Sequence, residues 1–561
     1  MRPSPRSVTR VVAALASGGV LCLAFPTYDI WVAAPLSLAL LAWTLTGAGA
    51  RRGFGLGLLA GLAFFVPTLS WSGIYVGALP WLALSGLQAM FFGVLGAAYG
   101  RLSRVRPRDD ARNDARNTEA GIRPLAFALA WVVAEGLRAR LPYGGFPWVK
   151  LAFGQADSPF GRIVALGGPP LVAFVIALCG GLLALAVTRG VHLAAHGRAR
   201  RAPSRMPLGA GAVVAAPAVA ALALGVIGLA VPIPTDGPPA QFLGVQGNVA
   251  RPGLEFNAER RAVLDNHVAA TLKANEAVTD GRAPAPDLVV WPENASDIDP
   301  LRNEDAKSLI LETVDALKRP LIVGGLLEEP PGRLSNVSLL FEPGKGLTDE
   351  YVKRHPVPFA EYIPNRSFWR LFSKEVDLVS RDFVAGTAPG LFTVTGTQGQ
   401  QIRAGLAICF EVAYDDIMRD AVEAGANVLV VQTNNATFGF TAESPQQLAI
   451  SRLRAMEFGR SVVHVSTVGQ SALITPDGTA HQVTSLFTQA VVRGALPLRD
   501  STTMATRVGE APEWAAAAAL IVMLGMSLVT SRGARTTTKQ AGPGWTMAED
   551  STKDSDDEDD T

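Results

Sequence analysis

Eight apolar segments of membrane-spanning length constrain this chain more than any other feature of its sequence. A helix that crosses a bilayer needs about 20 mostly apolar residues, so the segments predict a polytopic α-helical membrane domain. Gly53, Gly57 and Gly61 recur every four residues in the third segment, which predicts close helix packing there. The segments are 9–26, 30–48, 54–77, 79–100, 124–140, 162–188, 208–232 and 512–531.

Basic residues in the connections predict the orientation of these segments. Lys and Arg gather in the cytoplasmic connections of membrane proteins. With eight spans, the basic connections all fall on one side, whereas opposite ones such as 27–29 and 76–79 are nearly free of positive charge. We therefore predict cytoplasmic termini and an extracytoplasmic domain at 238–505. The basic connections are the N-terminus, 51–52, 101–108, 189–205 and 532–539.

The segment 238–505 has the pattern of an α/β domain. Short runs rich in Val, Ile and Leu predict buried strands, and these alternate with helical patterns as in an α/β sandwich. The runs at 335–341 and 349–354 predict an antiparallel pair, and Ser444 and Gln447 predict a capping box at a helix start. The other predicted strands are 240–246, 287–291, 320–325, 402–408, 427–433 and 461–467, and the predicted helices are 254–275, 303–318, 414–424 and 445–459.

These boundaries divide the chain into four parts. Residues 1–232 are predicted to form an N-terminal membrane domain with seven spans, and 238–505 an extracytoplasmic α/β domain. Residues 512–531 form the last transmembrane helix, and the acidic segment 532–561 is predicted to be a disordered cytoplasmic tail. The net charge of +1 combines basic connections with this acidic end, so it does not indicate binding to nucleic acid.

Three residues of the α/β segment have the side chains needed to build and break an acyl thioester. Of the three cysteines, Cys22 and Cys179 lie in apolar segments, which leaves Cys409 without an obvious disulfide partner. Cys409 follows a predicted strand and precedes a helix, where helix amides favour a thiolate. Glu293 follows another strand and can act as a general base, and Lys353 can stabilise an oxyanion. Each of them alone also fits a structural role, as a packed thiol, a solvated acid or a surface lysine.

The strings around these residues resemble a known superfamily. Glu293 in VVWPEN, Lys353 in DEYVKRHPVPFAEYIP and Cys409 in IRAGLAICFE are similar to the Glu–Lys–Cys triad of the nitrilase (carbon–nitrogen hydrolase) superfamily. Together with the eight apolar segments, the string at 351–364 resembles the apolipoprotein N-acyltransferase family. The resemblance covers about 9–531, and that string is its most specific part.

The resemblance implies both a fold and a reaction. The family places an αββα nitrilase sandwich on an eight-helix domain in the bacterial plasma membrane. Its members move an acyl chain from a phospholipid onto the cysteine as a thioester. They then pass it to the α-amino group of the diacylglyceryl-cysteine at the N-terminus of a lipoprotein, the last step of lipoprotein maturation. No metal or organic cofactor is implied.

Site residues carry over by position. Cys409 would be the nucleophile, Glu293 the general base, and Lys353 a stabiliser of the tetrahedral intermediate. The supporting residues matched in the same way are Glu361, Glu411 and Asn336. Glu361 can instead only brace Lys353, and Glu411 can instead only cap the following helix.

Two short strings depart from the family pattern. Asn435 and Thr437, in TNNATFG, stand where the family commonly has Asp and Trp. Thr467 and Val468 stand where the family has two asparagines before a glycine. These positions are expected near the acyl or acceptor pocket, so the departures concern the substrates rather than the triad.

Two other functions are compatible with parts of the sequence. A membrane-tethered amidase or nitrilase that acts on small amides would use the same triad with water as the second nucleophile. Eight spans argue against it, because a soluble substrate requires only one anchor. A non-catalytic membrane scaffold would not need Cys409, although all three triad residues are present.

Overall fold

The computed structural model describes residues 5–104, 121–199, 208–249 and 260–540, and its N-terminal part is helical. The sixth helix, α6 (Val164–Ala199), is interrupted at Gly167 and Gly168, whose backbone angles are not helical. These glycines precede Pro169 and Pro170. A proline ring cannot continue the helical hydrogen bonding, which explains the break. The N-terminal helices are α1 (Pro5–Cys22), α2 (Ala33–Leu45), α3 (Ala50–Thr68), α4 (Ala78–Leu102), α5 (Pro124–Arg138), α6 (Val164–Ala199) and α7 (Leu208–Val226).

Four helices of the described residues are long and apolar enough to cross a membrane. α1 and α2 are apolar but shorter, and α5 has only 15 residues. α3 begins with the charged pair Arg51 and Arg52. The protein therefore has a helical membrane part, whereas the full count of eight spans stays a prediction. The four candidate spans are Ala78–Leu102, Gly161–Ala195, Ala212–Ala230 and Ala511–Val529.

Small residues bring α3 and α4 into backbone contact, as the glycine spacing predicted. A Cβ atom added to Gly53 would lie 2.1 Å from the carbonyl oxygen of Gly96. One added to Gly57 would lie 2.1 Å from the carbonyl oxygen of Phe92. No side chain fits at these distances, so the close approach of the two helices requires glycine at both positions.

The C-terminal half contains two six-stranded sheets within the described ranges. The first has the order β12-β1-β2-β3-β4-β5 and the second the order β11-β10-β9-β8-β7-β6. Parallel strands lie at the centre of each sheet, β1–β2–β3 in the first and β7–β8–β9 in the second. The strands are β1 (Pro239–Gln246), β2 (Leu288–Val290), β3 (Leu321–Leu327), β4 (Ser335–Glu342), β5 (Gly346–Val352), β6 (Leu391–Thr395), β7 (Gln401–Ile408), β8 (Val428–Thr433), β9 (Ser461–Ser466), β10 (Ala472–Ile474), β11 (Ala480–His481) and β12 (Ala490–Pro497).

Helices cover the outer faces of both sheets. The inner faces pack on each other through residues such as Phe242 and Leu406. The outer face of the first sheet packs on Leu264 of α8 and Ile310 of α9. The resulting order of layers is helix, sheet, sheet and helix, as the family resemblance implied. The remaining helices are α8 (Arg260–Thr279), α9 (Glu304–Leu317), α10 (Arg366–Trp369), α11 (Asp415–Glu423), α12 (Glu443–Phe458), α13 (Met504–Val508) and α14 (Ala511–Gln540).

The second sheet and the membrane helices share one hydrophobic core. Ile417 of α11 and Leu453 of α12 belong to the same buried cluster as Trp148 and Phe64 of the membrane part. Ion pairs reinforce this junction, because Lys150 Nζ lies 2.6 Å from a carboxylate oxygen of Asp415. The outer helical layer of the second sheet is therefore covered by the membrane domain rather than by water.

Two elements differ from the sequence-based expectations. α12 begins at Glu443, and its N-cap residue makes no side-chain cap hydrogen bond, so the predicted capping box at Ser444 and Gln447 is wrong. Both side chains are buried and bind elsewhere, since Ser444 Oγ accepts from the Gln470 amide. α14 continues to Gln540, so residues 532–540 of the predicted tail are helical, and 541–561 lie outside the described residues.

Candidate active site

Three strand ends meet at one edge of the sandwich. β2 ends at Val290, three residues before Glu293, and β5 ends at Val352, directly before Lys353. β7 ends at Ile408, directly before Cys409. Residues just beyond strand ends are positioned by the sheet without being part of its hydrogen bonding. Buried runs of Val, Leu and Ile thus place an acid, an amine and a thiol side by side.

Cys409 occupies a sharp turn between β7 and α11. Its φ of 55° lies in the left-handed region, which non-glycine residues rarely adopt and which is common at functional sites. A 3₁₀ turn, Cys409–Ala413, follows at once and leads into α11, as predicted. The side chain is half-buried, and Gln447 Nε2 lies 3.6 Å from its sulfur. The turn therefore places the thiol at the edge of the core, where the surrounding chain fixes its direction.

Lys353 lies between two carboxylates. Its Nζ lies 3.3 Å from Glu293 Oε1 and 2.9 Å from Glu361 Oε1, and the side chain is 1% exposed. Burial alone would lower the pKa of this ammonium, but the charges of Glu361 and Glu293 outweigh burial and raise the pKa of Lys353. The residue is therefore a fixed positive charge, suited to stabilising an oxyanion.

Asn336 on β4 joins the two carboxylates from the other side. Its Nδ2 donates to Glu293 Oε1 at 2.8 Å and to Glu361 Oε1 at 2.9 Å. The Asn434 backbone amide donates to the second oxygen of Glu293 at 2.9 Å. Asn336, the Asn434 amide and Lys353 together fix the orientation of Glu293, as a base that removes a proton in a defined direction requires.

The surroundings of Cys409 favour the neutral thiol over the thiolate. Burial is the largest cause that raises the pKa of the Cys409 thiol, and Glu293 adds to it, whereas Lys353 acts in the opposite direction. That helix amides favour the thiolate stays a prediction, and in this site neighbouring groups must assist ionisation. Among the carboxylates, Glu293 has the strongest electrostatic influence on Cys409, which makes it the candidate base for the thiol proton.

Glu411 braces the site from below. The side chain is fully buried and accepts hydrogen bonds from the backbone amides of Arg354, His355 and Ile408 at 2.6, 3.1 and 2.8 Å. It also accepts from the hydroxyl of Tyr351 at 3.0 Å. One carboxylate thus ties the chain after Lys353 to the chain before Cys409.

Replacing Glu411 by glutamine is expected to lower the free energy of unfolding by at least about 1–3 kcal/mol, because an amide nitrogen would face buried donors. Thermal unfolding of the purified protein in detergent measures this loss. Glu423→Gln, on the exposed side of α11, is the matched control and is expected to change little. Equal unfolding temperatures for the two variants would contradict the bracing role of Glu411.

The departures from the family pattern line the same site. Asn435 Nδ2 donates to Glu443 Oε2 at 2.6 Å and to Gln447 Oε1 at 2.9 Å. Thr467 Oγ1 donates to the carbonyl oxygen of Glu293 at 2.7 Å, and Val468 packs in a small apolar cluster. Asn435 and Thr467 therefore contact residues of the site, and their proximity to an acyl or acceptor pocket stays a prediction.

Sequence reasoning missed Asn434, Glu443 and Gln447 as parts of the site. Asn434 contributes a backbone amide, which no side-chain pattern can indicate. Glu443 and Gln447 lie one helical turn apart at the start of α12, where they resembled ordinary helix-start residues. In the sequence, the two residues are marked only by their spacing of four, which places them on the same face of a helix. The structure shows that both side chains are buried.

Aromatic rings connect the sulfur to the membrane part. The ring of Phe410, next to Cys409, stacks on Phe146 at 5.2 Å and on Trp148 at 5.5 Å between centroids. Both partners belong to the connection 141–160 between α5 and α6. Trp148 is 1% exposed, so it packs inside the protein.

Most of the chain is similar to known proteins. Residues 17–182 match the apolipoprotein N-acyltransferase N-terminal domain family, and residues 257–506 match the carbon–nitrogen hydrolase family. The apolipoprotein N-acyltransferase of Mycolicibacterium smegmatis is 38% identical over 505 residues, which cover 89% of this chain and 81% of that protein. That of Azotobacter vinelandii is 30% identical over 539 residues, which cover 93% and 95%. A solved structure of a mutant amidase of the nitrilase superfamily, from Nesterenkonia AN1, aligns with a TM-score of 0.37 at 17% identity over 50% of this chain and 97% of that one.

Proposed function

Since the chain belongs to the apolipoprotein N-acyltransferase family, we propose that Cys409 carries the acyl group as a thioester between donor and acceptor. The protein is an acyltransferase that N-acylates lipoproteins. The donor in this proposal is a phospholipid. The acceptor is the α-amino group of the diacylglyceryl-cysteine at a lipoprotein N-terminus.

The observation that carries the proposal is the cluster of Glu293, Lys353 and Glu361 beside the half-buried Cys409. In the first step Glu293 takes the thiol proton and the sulfur attacks the ester carbonyl carbon of the phospholipid. The carbonyl oxygen becomes an oxyanion, which the Lys353 ammonium stabilises. The carbon–oxygen bond then breaks, and the lysophospholipid leaves as an alcohol with the proton held by Glu293.

The second step returns the enzyme to its starting state. The neutral amine of the lipoprotein attacks the thioester carbonyl, and Glu293 takes a proton from the nitrogen. When the carbon–sulfur bond breaks, the amide is complete and the sulfur takes the proton back from Glu293. Water would compete with the amine, so a site that excludes water favours transfer over hydrolysis.

Contact with the membrane part supports a lipid donor. Phe410 directly follows Cys409, and its ring stacks on Phe146 and Trp148, which belong to the membrane half of the chain. An acyl chain that leaves the bilayer along this junction would stay among apolar side chains. A soluble amide would gain nothing from such a neighbourhood.

The remaining features of the proposal concern topology. Eight spans, 1–232 with seven and 512–531 with one, would place both termini in the cytoplasm of a bacterial cell. The domain 238–505 would then face the outer side of the plasma membrane. The asymmetry of Lys and Arg in the connections supports this orientation.

A labelled phospholipid tests the proposed intermediate. The purified protein, incubated with a phospholipid labelled in its acyl chain, is expected to bind the label covalently at Cys409. Hydroxylamine or a diacylglyceryl-cysteine peptide should release the label, and Cys409→Ala should never acquire it. A protein that takes up no label but hydrolyses small amides would favour the membrane-tethered amidase instead.

A further inference from the structure

Gln447 of α12 contacts the reacting atom of the proposed mechanism. The side chain is fully buried, and its Nε2 lies 3.6 Å from Cys409 Sγ, within the range for hydrogen bonds to sulfur. Thr433 Oγ1 lies 3.8 Å from the same sulfur, but it is also 2.6 Å from Gln447 Oε1. A hydroxyl has one hydrogen, and the shorter contact takes it. Gln447 is therefore the donor that remains for the sulfur.

The direction of the Gln447 amide is fixed by its neighbours. Its Oε1 accepts from the Thr433 hydroxyl at 2.6 Å and from Asn435 Nδ2 at 2.9 Å. An amide turned by 180° would place its NH₂ group against both donors. Only the orientation with Nε2 towards the sulfur satisfies all three groups.

Asn435 is itself held in one orientation. Its Oδ1 accepts from the Ser466 hydroxyl at 2.5 Å, and its Nδ2 donates to Glu443 Oε2 as well as to Gln447. An aspartate at this position would have no hydrogen to donate to either acceptor when ionised. The departure at Asn435 thus provides the donor that turns Gln447 towards the sulfur.

Glu443 limits the negative charge near this network. Burial, with a contribution from the charge of Glu293, raises the pKa of Glu443 to about 8, so the carboxyl is mostly protonated at neutral pH. The charged and titratable groups that influence Cys409 are then Glu293 beyond β2, Lys353 beyond β5 and Glu443 on α12. Gln447 adds an uncharged hydrogen-bond donor to these groups. Such a donor stabilises a thiolate, but less strongly than a cation would, so the sulfur remains a nucleophile.

We infer that Gln447 is a further catalytic residue, whose amide stabilises the sulfur of Cys409 as a thiolate, with Thr433 and Asn435 as its positioning residues. The inference rests on the proposed function for its place in the cycle. A donor to sulfur assists twice, when the thiol loses its proton to attack the lipid ester and when the sulfur leaves the tetrahedral intermediate of the amine step.

Alkylation of Cys409 tests the inference without any lipid substrate. In Gln447→Met, which keeps the volume but removes the donor, the pH at which Cys409 reacts with iodoacetamide is expected to rise by about one to two units. The acylation and amine-transfer rates should each fall about tenfold. The reaction is measured on the full-length protein in detergent, in which Cys22 and Cys179 are replaced by alanine.

The neighbouring glutamine supplies a matched control. Gln446 lies one residue earlier on α12 and is equally buried, but its Oε1 accepts from the indoles of Trp71 and Trp148 and does not contact the sulfur. Gln446→Met should therefore leave the pH profile of alkylation unchanged. A parallel shift in both variants would mean that helix packing, rather than the donor, sets the reactivity, and would overturn the inference.

Thr433→Val gives a second, independent variant should Gln447→Met fail to fold. It leaves Gln447 in place but removes a hydroxyl that fixes its orientation, so a smaller shift in the same direction is expected. An unshifted profile in whichever variant folds would overturn the inference. Absence of a lipid thioester in the unmodified protein would refute the proposed function alone, since alkylation still reports on the sulfur.

Discussion

Replacing Cys409 by alanine is expected to abolish acyl transfer to lipoprotein amines, with a loss of at least about 10³-fold in rate. Without the sulfur there is no atom to carry the acyl group, and the remaining Glu293 and Lys353 have no nucleophile to activate. Mass spectrometry of lipoprotein N-termini, from cells in which the variant is the only copy, measures the effect.

The chain provides its own controls for this experiment. Cys179 is buried in α6, and Cys22 of α1 lies within 3.7 Å of backbone carbonyl oxygens of its own helix and of α3. Both lie in the membrane part, so their replacement by alanine should leave N-acylation in place. Full N-acylation by Cys409→Ala would instead point to the non-catalytic scaffold, with the reaction carried out by another protein.

Replacing Lys353 by methionine is expected to lower the free energy of unfolding by about 3–5 kcal/mol and to abolish activity. Lys353 is the cation between Glu293 and Glu361, and its loss would leave two buried carboxylates that repel each other. Because its pKa is raised, its stabilising charge is fully present at neutral pH and is lost only as the pH rises through that raised value. Thermal unfolding and the thioester assay measure the two effects.

Two further variants separate stability from catalysis. Lys345→Met removes an exposed lysine whose Nζ lies 3.0 Å from Glu342 Oε2, and it should cost less than about 1 kcal/mol. Combining Lys353→Met with Glu361→Gln removes one of the two facing charges, so stability should partly return while activity stays absent. If activity returned with stability, Lys353 would be a purely structural cation.

The sequence predicted the strands whose residues are buried on both faces. Val428–Thr433 and Ser461–Ser466 are rich in Val and are buried at every position, because they lie at the centre of the second sheet. β12 (Ala490–Pro497) was missed, because an edge strand with an arginine and a glycine does not have that composition. Its partner, β1, lies far away in the chain, and pairing at such distances leaves no local signal.

The same limit applies to the site. The positions of Glu293, Lys353 and Cys409 at strand ends follow from local patterns, and the family resemblance identified them. Contacts such as Gln447 to Cys409, 38 residues apart, depend on how the helical layer packs on the sheet. The local sequence instead predicts a capping role for Gln447, because polar residues near a helix start commonly form capping boxes.

The stack of Phe410 on Phe146 and Trp148 has a consequence for biosynthesis. The ribosome completes the 141–160 connection long before it reaches Phe410. The membrane helices and this connection can therefore fold first, and the catalytic half then packs on them. α14 is translated last, and its Glu513 then forms an ion pair with Arg140 at the edge of these helices. A soluble fragment without the membrane helices would expose the apolar surface of α11 and α12 and is expected to aggregate. Insertion of the membrane helices into the bilayer would then be a prerequisite for an active enzyme.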